Sequence, residues 1–375
     1  MAWWWLAGAV FPLAYALMMA WLWRGWRRLP EVQPAGAPLT AFTVVVPARN
    51  ESRHLARCLE ALCAQDYPRP RFRIVVVDDH SEDETAAIAR RYAGRGVELL
   101  QLALLPGAPA GKKAALAAAI ARADTPWIAT TDADTTVPPA WLRHFDAAIR
   151  QTDCLMVGSA VLFEPAPGLW ACFQQLDYLG TMGLTGGGMA WRGPFLSNGA
   201  SLAFAKKAWQ AVGGYGGTTH RASGDDMLLQ QKFARRWPHR LFWLKNPAAA
   251  VRTPPQPDLA RLWRQRRRWA SKAHDYHDRR MALVQAVAFG VSLQALAGAL
   301  LAPLWAPAAA AALLAWSVRG LTDWLWLRML ARHFGESRSL RCFLPSLVLH
   351  VCYVVAMGLA SFGARPYEWK GRRVR

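Results

Sequence analysis

Between Phe42 and Thr131 four short apolar runs alternate with segments of helical spacing, and this alternation constrains the fold more than anything else in the chain. Phe42-Thr-Val-Val-Val-Pro47 and Arg73-Ile-Val-Val-Val-Asp78 are short and β-branched, the pattern of strands buried on both faces. Val97–Leu102 and Trp127–Thr131 read as two more. Leu55, Leu59 and Leu62 set a helix over 50–64. Ser81, with Glu84 three residues later, reads as a capping box opening an Ala-rich helix to Tyr92. Lys112–Ala123 is a further helix. Strands alternating with helices predict an α/β fold with a mostly parallel, doubly wound sheet. Such sheets bind ligands beyond the carboxyl ends of their strands.

Three of these runs end in acidic clusters: Pro47-Ala-Arg-Asn-Glu51, Asp78-Asp-His-Ser-Glu-Asp83 and Thr130-Thr-Asp-Ala-Asp-Thr135. Aspartate is common in turns, but three clusters at one sheet edge mark a site. On an extended segment Asp132 and Asp134 face the same side and can meet one cation. Carboxylates suit Mg²⁺ or Mn²⁺ shared with phosphate oxygens, and a diphosphate leaving group needs such neutralisation. Gly111-Lys112-Lys113 opens a helix where backbone N–H groups can hold phosphate. The chain lacks G-x-x-x-x-G-K-[ST] and has no G-x-G-x-x-G after the first strand, which excludes a P-loop NTPase and disfavours a dinucleotide Rossmann enzyme.

The ends of the chain are different. Residues 1–23 carry no charged side chain, have tryptophans at both ends, and run into Arg24, Arg27 and Arg28. The run is long enough to cross a bilayer at about 1.5 Å per residue. Its charges come after it rather than before it, so an uncleaved anchor is expected, with its C-terminal end cytoplasmic. Met281–Val318 is a second uncharged run, with Pro303 and Pro307 near its middle and Arg319, Asp323 and Arg328 beyond it. Cys342–Ala364 is a third, followed by a basic tail from Arg365 to Arg375. Three spans after residue 281 would put the tail outside, whereas two would put the basic loop 332–341 outside. The preferred reading is two full spans and one interfacial or re-entrant segment within 305–330. The expected organisation is an anchor at 1–26, a catalytic domain at 40–280, a membrane region at 281–364 and a basic tail at 365–375.

Composition agrees with this division. The chain has 375 residues, 53% hydrophobic, and a net charge of +20. Intrinsic disorder is excluded by the hydrophobicity. A disulfide-stapled scaffold is excluded because six cysteines in this length are sparse and form no C-x-x-C, so free thiols are expected. Nucleic acid is not an expected partner, because the basic residues crowd beside the apolar runs and no RRM, KH or helix-turn-helix pattern is present.

The motifs PARNE, VVVDDHSED, GKKAAL, TDAD, SNGASLAF, SGDD and QRRRW occur in order over about residues 41–275. In this order they resemble the membrane-anchored family 2 glycosyltransferases of the GT-A fold, akin to cellulose, hyaluronan and poly-N-acetylglucosamine synthases. The resemblance implies an inverting transfer from a nucleotide-sugar, preferably a UDP-sugar, with a divalent metal, Mg²⁺ or Mn²⁺. It implies that Pro47, Glu51 and Asp79, beside Asp78, bind the nucleoside. Lys112 lies near the nucleotide, Asp132 toward the nucleotide-sugar, and Asp134 on the metal. Asp226 is the implied general base. Asp225 departs from the family's usual Glu. Gln265 and Arg268 would reach the diphosphate, and Trp269 would line the acceptor site; the three share a helix face.

The tail Glu-Trp-Lys-Gly-Arg resembles ends of membrane glycosyltransferases that act on lipids such as carotenoids, hopanoids or sphingoid lipids. A lipid or lipid-linked acceptor at the cell membrane is therefore expected, with the catalytic domain cytoplasmic and the protein multi-pass. A processive polysaccharide synthase is the alternative. Arg264, Arg266 and Arg267 are expected to rest on anionic headgroups. Trp191 and Trp209 are candidates for stacking on sugar, though core or membrane-belt roles are favoured. His274 and His277 are expected on a solvated helix face. Gly186-Gly-Gly188 and Gly213-Gly214 are expected in turns or a gating loop.

Overall fold

The computed structural model describes residues 2–105, 107, 109–193, 196–217, 224–270, 278–361, 367–369 and 372–374. In chain order the elements are α1 (Ala2–Arg28), β1 (Phe42–Ala48), α2 (Leu55–Cys63), β2 (Phe72–Asp78), α3 (Thr85–Arg91), β3 (Val97–Gln101), α4 (Lys112–Arg122), β4 (Trp127–Thr130) and α5 (Trp141–Thr152). Next come β5 (Met156–Ser159), β6 (Val161–Phe163), α6 (Leu169–Met189), β7 (Leu202–Ala205), α7 (Lys206–Ala211), α8 (Asp225–Arg236), β8 (Leu241–Leu244) and β9 (Val251–Thr253). The last are α9 (Leu259–Ala270), α10 (Arg279–Leu301), α11 (Ala306–His333), α12 (Phe343–Ser361), β10 (Tyr367–Trp369) and β11 (Arg372–Val374).

These elements divide into two units. One comprises Pro30–Glu164, Phe195–Pro254 and Pro366–Arg375, and it holds the sheet. The other comprises Met1–Leu29, Pro165–Pro194 and Pro255–Arg365, and it is helical. The span 40–280 thus contributes α6 and α9 to the helical unit.

The sheet has seven strands in the order β3-β2-β1-β4-β7-β5-β8. Neighbours are parallel except at β7, which runs antiparallel to both β4 and β5. The α/β fold with a mostly parallel sheet is therefore present. Val44, Val45 and Val46 are fully buried, as strands covered on both faces require. Leu116 and Ile120 of α4 and Leu229 and Phe233 of α8 join Val45, Val77, Ile128 and Phe204 in one core cluster. β7 has a special effect on the edge. The parallel strands deliver the residues C-terminal to them, whereas β7 delivers those N-terminal to it, so residues 197–201 reach the same edge as the end of β4. Thr130 Oγ1 donates to the Gly199 carbonyl at 2.8 Å.

Two local expectations are corrected. The helix expected over 50–64, α2, begins at Leu55 rather than residue 50, because the Glu51 N–H is held by Thr85 Oγ1 at 2.8 Å. Ser81 does not cap α3; its hydroxyl accepts from the Asn50 N–H at 3.0 Å, and Asp83 Oδ1 accepts from the Thr85 N–H at 3.0 Å instead.

In the helical unit, Arg279–Leu301 and Ser337–Ala360 are long and apolar enough to cross a membrane. The stretch 305–330 holds no break in its helix. It lies in the continuous 28-residue α11, about 42 Å long at 1.5 Å per residue. Its polar residues are absorbed inside the unit: Arg319 is fully buried, 3.3 Å from Asp323 Oδ2. Gly186-Gly-Gly188 is not a loop either. It lies in α6, where α6 crosses α1 so closely that a Cβ on Gly187 would stand 2.5 Å from the Leu22 carbonyl oxygen. Small residues permit such an approach.

The ring of Trp26 meets that of His333 at 5.4 Å, so α1 and α11 end together. Arg280 at the start of α10 donates from Nη2 to the Arg192 carbonyl at 2.6 Å. The Trp191 ring packs within the helical unit. It is stacked on Trp21 at 6.0 Å and covered by the Arg28 guanidinium at 4.4 Å. His274, Asp275 and His277, Ser223 of SGDD, and tail residues 365, 366, 370, 371 and 375 lie outside the described residues.

Candidate active site at the sheet edge

The loops after β1 and β2 are tied to each other. Arg49, buried, donates from Nη1 to the carbonyls of Asp79 (2.9 Å) and His80 (3.0 Å). The Asp79 N–H continues the β1–β2 pairing onto the Ala48 carbonyl at 2.8 Å. Asn50 and His80 adopt left-handed backbone, φ 51° and 58°, held by these ties. Pro47 and Glu51 lie partly exposed on this edge. Asp78 serves the turn, accepting from the Ser81 N–H at 3.1 Å.

Asp79 is buried, and its Oδ2 accepts from the Gly111 N–H at 3.0 Å, at the N-terminus of α4. A carboxylate is favoured there by the helix dipole. That N–H, expected to be open to phosphate, is thus used by the protein itself. Gly111 has φ 117°, which a side chain would strain.

From the first turn of α4, Lys112 reaches across to two carboxylates. Its Nζ lies 2.6 Å from Asp132 Oδ1 and 3.3 Å from Asp225 Oδ2. Burial alone would lower the Lys112 pKa, but Asp132, Asp225 and Asp226 together raise it well above the ordinary lysine value. It is a permanent cation among three anions.

Asp132-Ala-Asp134 is not extended as expected. Thr135 N–H closes a turn onto the Asp132 carbonyl at 3.1 Å, with Ala133 buried and both carboxylates partly exposed. α2 backs this turn. Arg57 donates to the Asp134 carbonyl at 3.4 Å and pairs with Glu164 at 2.7 Å. Burial, then Asp134 and Asp132, push the Cys58 thiol well above its ordinary range, so it is an inert core group.

Asp226, in the first turn of α8, accepts from the Gly199 N–H at 2.9 Å and from the Met227 N–H at 2.7 Å. A carboxylate has about four acceptor positions, so two remain. Gly199 fits between these groups: a Cβ there would lie 3.2 Å from Asp225 Oδ2 and 3.5 Å from Lys112 Nζ. The edge therefore brings Asp79, Lys112, Asp132, Asp225 and Asp226 into one connected group through Gly111 and Gly199.

Sequence reasoning missed Arg49, Gly199 as a spacer, and Tyr215. Burial, then Asp225, hold the Tyr215 hydroxyl well above its ordinary pKa, which places the phenol beside the acidic pair. Trp209, a candidate for sugar stacking, meets Tyr215 edge-on at 5.8 Å. SNGASLAF carried the signal for Gly199, but nothing local marked Tyr215.

Among the described residues no group of three or more His, Cys, Asp or Glu forms a ready-made metal cage. The donor chemistry of Asp132 and Asp134 fits a hard divalent ion that takes its remaining ligands from phosphate and water.

Gln265, Arg268 and Trp269 belong to α9 of the helical unit. Trp269 stacks on Tyr178 at 5.9 Å with planes 23° apart. Gln265 Oε1 is buried and finds no donor among the described residues. Arg266 does not rest on headgroups. It is buried and paired with Asp177 of α6, which supplies the compensating charge.

The glycosyl transferase family 2 model matches residues 43–174, and the glycosyl transferase family group 2 model matches residues 127–362. The chain is 28% identical over 282 residues to a beta-monoglucosyldiacylglycerol synthase of Synechocystis sp., covering 71% of this chain and 54% of that protein. It is 35% identical over 96 residues to a 4,4'-diaponeurosporenoate glycosyltransferase of Staphylococcus aureus, covering 26% of this chain and 24% of that one. The chain spans about half the length of the first of these relatives. Among solved structures it resembles the mannosyltransferase PcManGT of Pyrobaculum calidifontis in complex with GDP-Man and Mn²⁺. The TM-score is 0.62 at 21% identity, over 95% of this chain and 98% of that one. That likeness concerns the fold.

Proposed function

Because the chain belongs to glycosyl transferase family group 2, and is a glycosyltransferase, we propose that it moves a sugar from a nucleotide-sugar to a hydroxyl of a lipid or lipid-linked acceptor at a membrane, with inversion. The observation that carries the chemistry is the Lys112 cation held among Asp132, Asp225 and Asp226 at the carboxyl edge of the sheet.

In this reading Asp226 takes the proton of the acceptor hydroxyl through a free acceptor position of its carboxylate. The hydroxyl oxygen attacks the anomeric carbon from the face opposite the leaving group. The bond from that carbon to the diphosphate oxygen breaks, and its electron pair leaves with the nucleoside diphosphate. Gly199 holds Asp226 by its N–H, and Asp225 keeps Lys112 in place beside it. Asp134, with Asp132 toward the sugar, would hold a Mg²⁺ or Mn²⁺, which supplies neutralising charge to the leaving diphosphate when bound. Pro47, Glu51 and the Asp79 loop form the nucleoside side. Gln265, Arg268 and Trp269 serve the acceptor and diphosphate side. The buried Gln265 Oε1, without a donor among the described residues, suits a hydroxyl donor.

The lipid acceptor is supported by two lipid-acting relatives and by the helical unit. Leu283, Leu300, Leu304, Leu313 and Leu344 are exposed on its helices and loop. Arg27 and Arg28 end α1, Arg279 and Arg280 open α10, and Arg332 ends α11, a positive side consistent with a cytoplasmic face. We infer a multi-pass arrangement in the cell membrane, with the part of the sheet unit between α1 and α10 cytoplasmic.

The test is purified full-length protein with a panel of nucleotide-sugars, phosphatidylcholine vesicles containing diacylglycerol, and Mg²⁺ or Mn²⁺. Nucleoside diphosphate release together with one glycolipid product supports the reading. A ladder of sugar products would favour a polysaccharide synthase instead. Turnover undiminished by a chelator would overturn the metal role.

A further inference from the structure

Six helices of the helical unit are joined by one line of polar side chains. Tyr15 of α1 donates to Asp323 Oδ1 at 2.5 Å. Asp323 Oδ2 lies 3.3 Å from Arg319 Nε, on α11. Arg319 also donates to Ser292 Oγ of α10, and from Nη2 to His350 Nδ1 of α12 at 2.7 Å. A guanidinium can only donate, so Nδ1 accepts and the ring proton sits on Nε2. Nε2 lies 3.4 Å from Asp177 Oδ1 of α6. The other Asp177 oxygen accepts from Arg266 of α9.

The line thus contains two ion pairs bridged by one imidazole. Each buried cation has its carboxylate, the condition under which buried charge is tolerated. Its last member lies inside the QRRRW segment. Arg266 sits between Gln265 and Arg268, and its guanidinium covers the Trp269 ring at 4.4 Å. Tyr178, adjacent to Asp177, stacks on that same ring. A helix is free to rotate about its axis until a side chain is pinned. Arg266 is pinned by Asp177, and residues at 265, 268 and 269 then project at fixed angles.

We propose that Asp177 is a positioning residue for Trp269, acting through Arg266. The inference rests on the reading of Trp269 as an acceptor-side group. His350 ties this carboxylate to the buried Arg319, so the register of α9 is referred to the helical bundle rather than set by α9 alone.

The experiment uses the full-length enzyme, its best donor from the panel, and the diacylglycerol vesicles. Asp177→Asn should raise the acceptor KM by about tenfold and leave the donor KM within about twofold. Trp269→Ala should do the same, and the double variant should be no worse than Trp269→Ala. An acceptor KM unchanged in Asp177→Asn, or effects that multiply in the double variant, overturns the proposal. If Trp269→Ala itself leaves the acceptor KM unchanged, the acceptor reading of Trp269 falls as well. Asp177→Leu with Arg266→Met removes both charges and should keep the melting temperature, since paired buried charges can be replaced by apolar groups. It should still show the raised acceptor KM. A wild-type acceptor KM in that variant would make the pair purely structural.

Discussion

Lys112 Nζ lies 2.6 Å from Asp132 Oδ1, and this contact joins the first turn of α4 to the turn after β4. The same ammonium serves Asp225, 3.3 Å away. Removing it leaves a cluster of carboxylates without their internal cation. Lys112→Met should lower kcat/KM for the nucleotide-sugar by about 100-fold or more, the scale of breaking a partly buried charge pair. Lys112→Arg should not restore it, because a planar fork replaces a point charge between two oxygens. Steady-state release of nucleoside diphosphate measures both.

Asp226→Asn keeps shape and removes the base. Its kcat should fall by about 10³-fold, within the range of lost general-base catalysis, while donor affinity changes little. Isothermal binding of the nucleoside diphosphate separates the two effects. Unchanged turnover would remove Asp226 from the base role.

The α1–α6 crossing predicts a stability effect remote from the chemistry. Gly187→Ala places a Cβ 2.5 Å from the Leu22 carbonyl oxygen. The helices must separate, at a cost of about 1–3 kcal/mol for overpacking. The melting temperature of the detergent-solubilised protein should fall. Gly94→Ala, where nothing lies within 4 Å, is the control.

Asp83 gives a pH signature. Burial opposes ionisation there, but donors from Thr85 and Ser52 outweigh it and hold the carboxyl at about 2. The folded value lies below the unfolded one. Its contribution is therefore complete above the unfolded pKa of about 3.9 and is lost as pH falls through about 2. The stability difference between the protein and Asp83→Asn should shrink across that window. A constant difference would contradict the linkage.

Much of the sheet was legible because its strands are unusually plain. Val44–Val46 and Val75–Val77 have no competing helical spacing, and their burial is the consequence of their composition. The carboxylates were legible because the sheet edge gathers the loop residues just past each parallel strand. The hidden part came from pairings between distant residues. Asp177 and Arg266 are 89 positions apart, so Arg266 read as one more surface arginine. Ser81 and Glu84 fit a capping box, yet Ser81 was claimed by Asn50 from another strand's loop. The Asp132–Asp134 segment turned because Thr135 could close onto Asp132. Tyr215 lies in a glycine-rich stretch that carries no periodic signal, and only its position beside Asp225 marks it. α11 looked broken because Arg319 and Asp323 interrupt an apolar run, but they satisfy each other inside the bundle.

The interleaving of the two units bears on how the protein can be handled. α6 is encoded between β6 and β7, yet its companions are α1, α11 and α12 at the two ends of the chain. Cutting after residue 254 to obtain a compact, water-loving enzyme would leave α6 with α1 but strip it of α11 and α12. Leu176, Leu179 and Met182, buried in the intact chain, would lose their cover. The expected product is an aggregate rather than a free catalytic fragment. Crystallisation or screening work on this chain must carry its greasy half along, or rebuild the outward side of α6 by design.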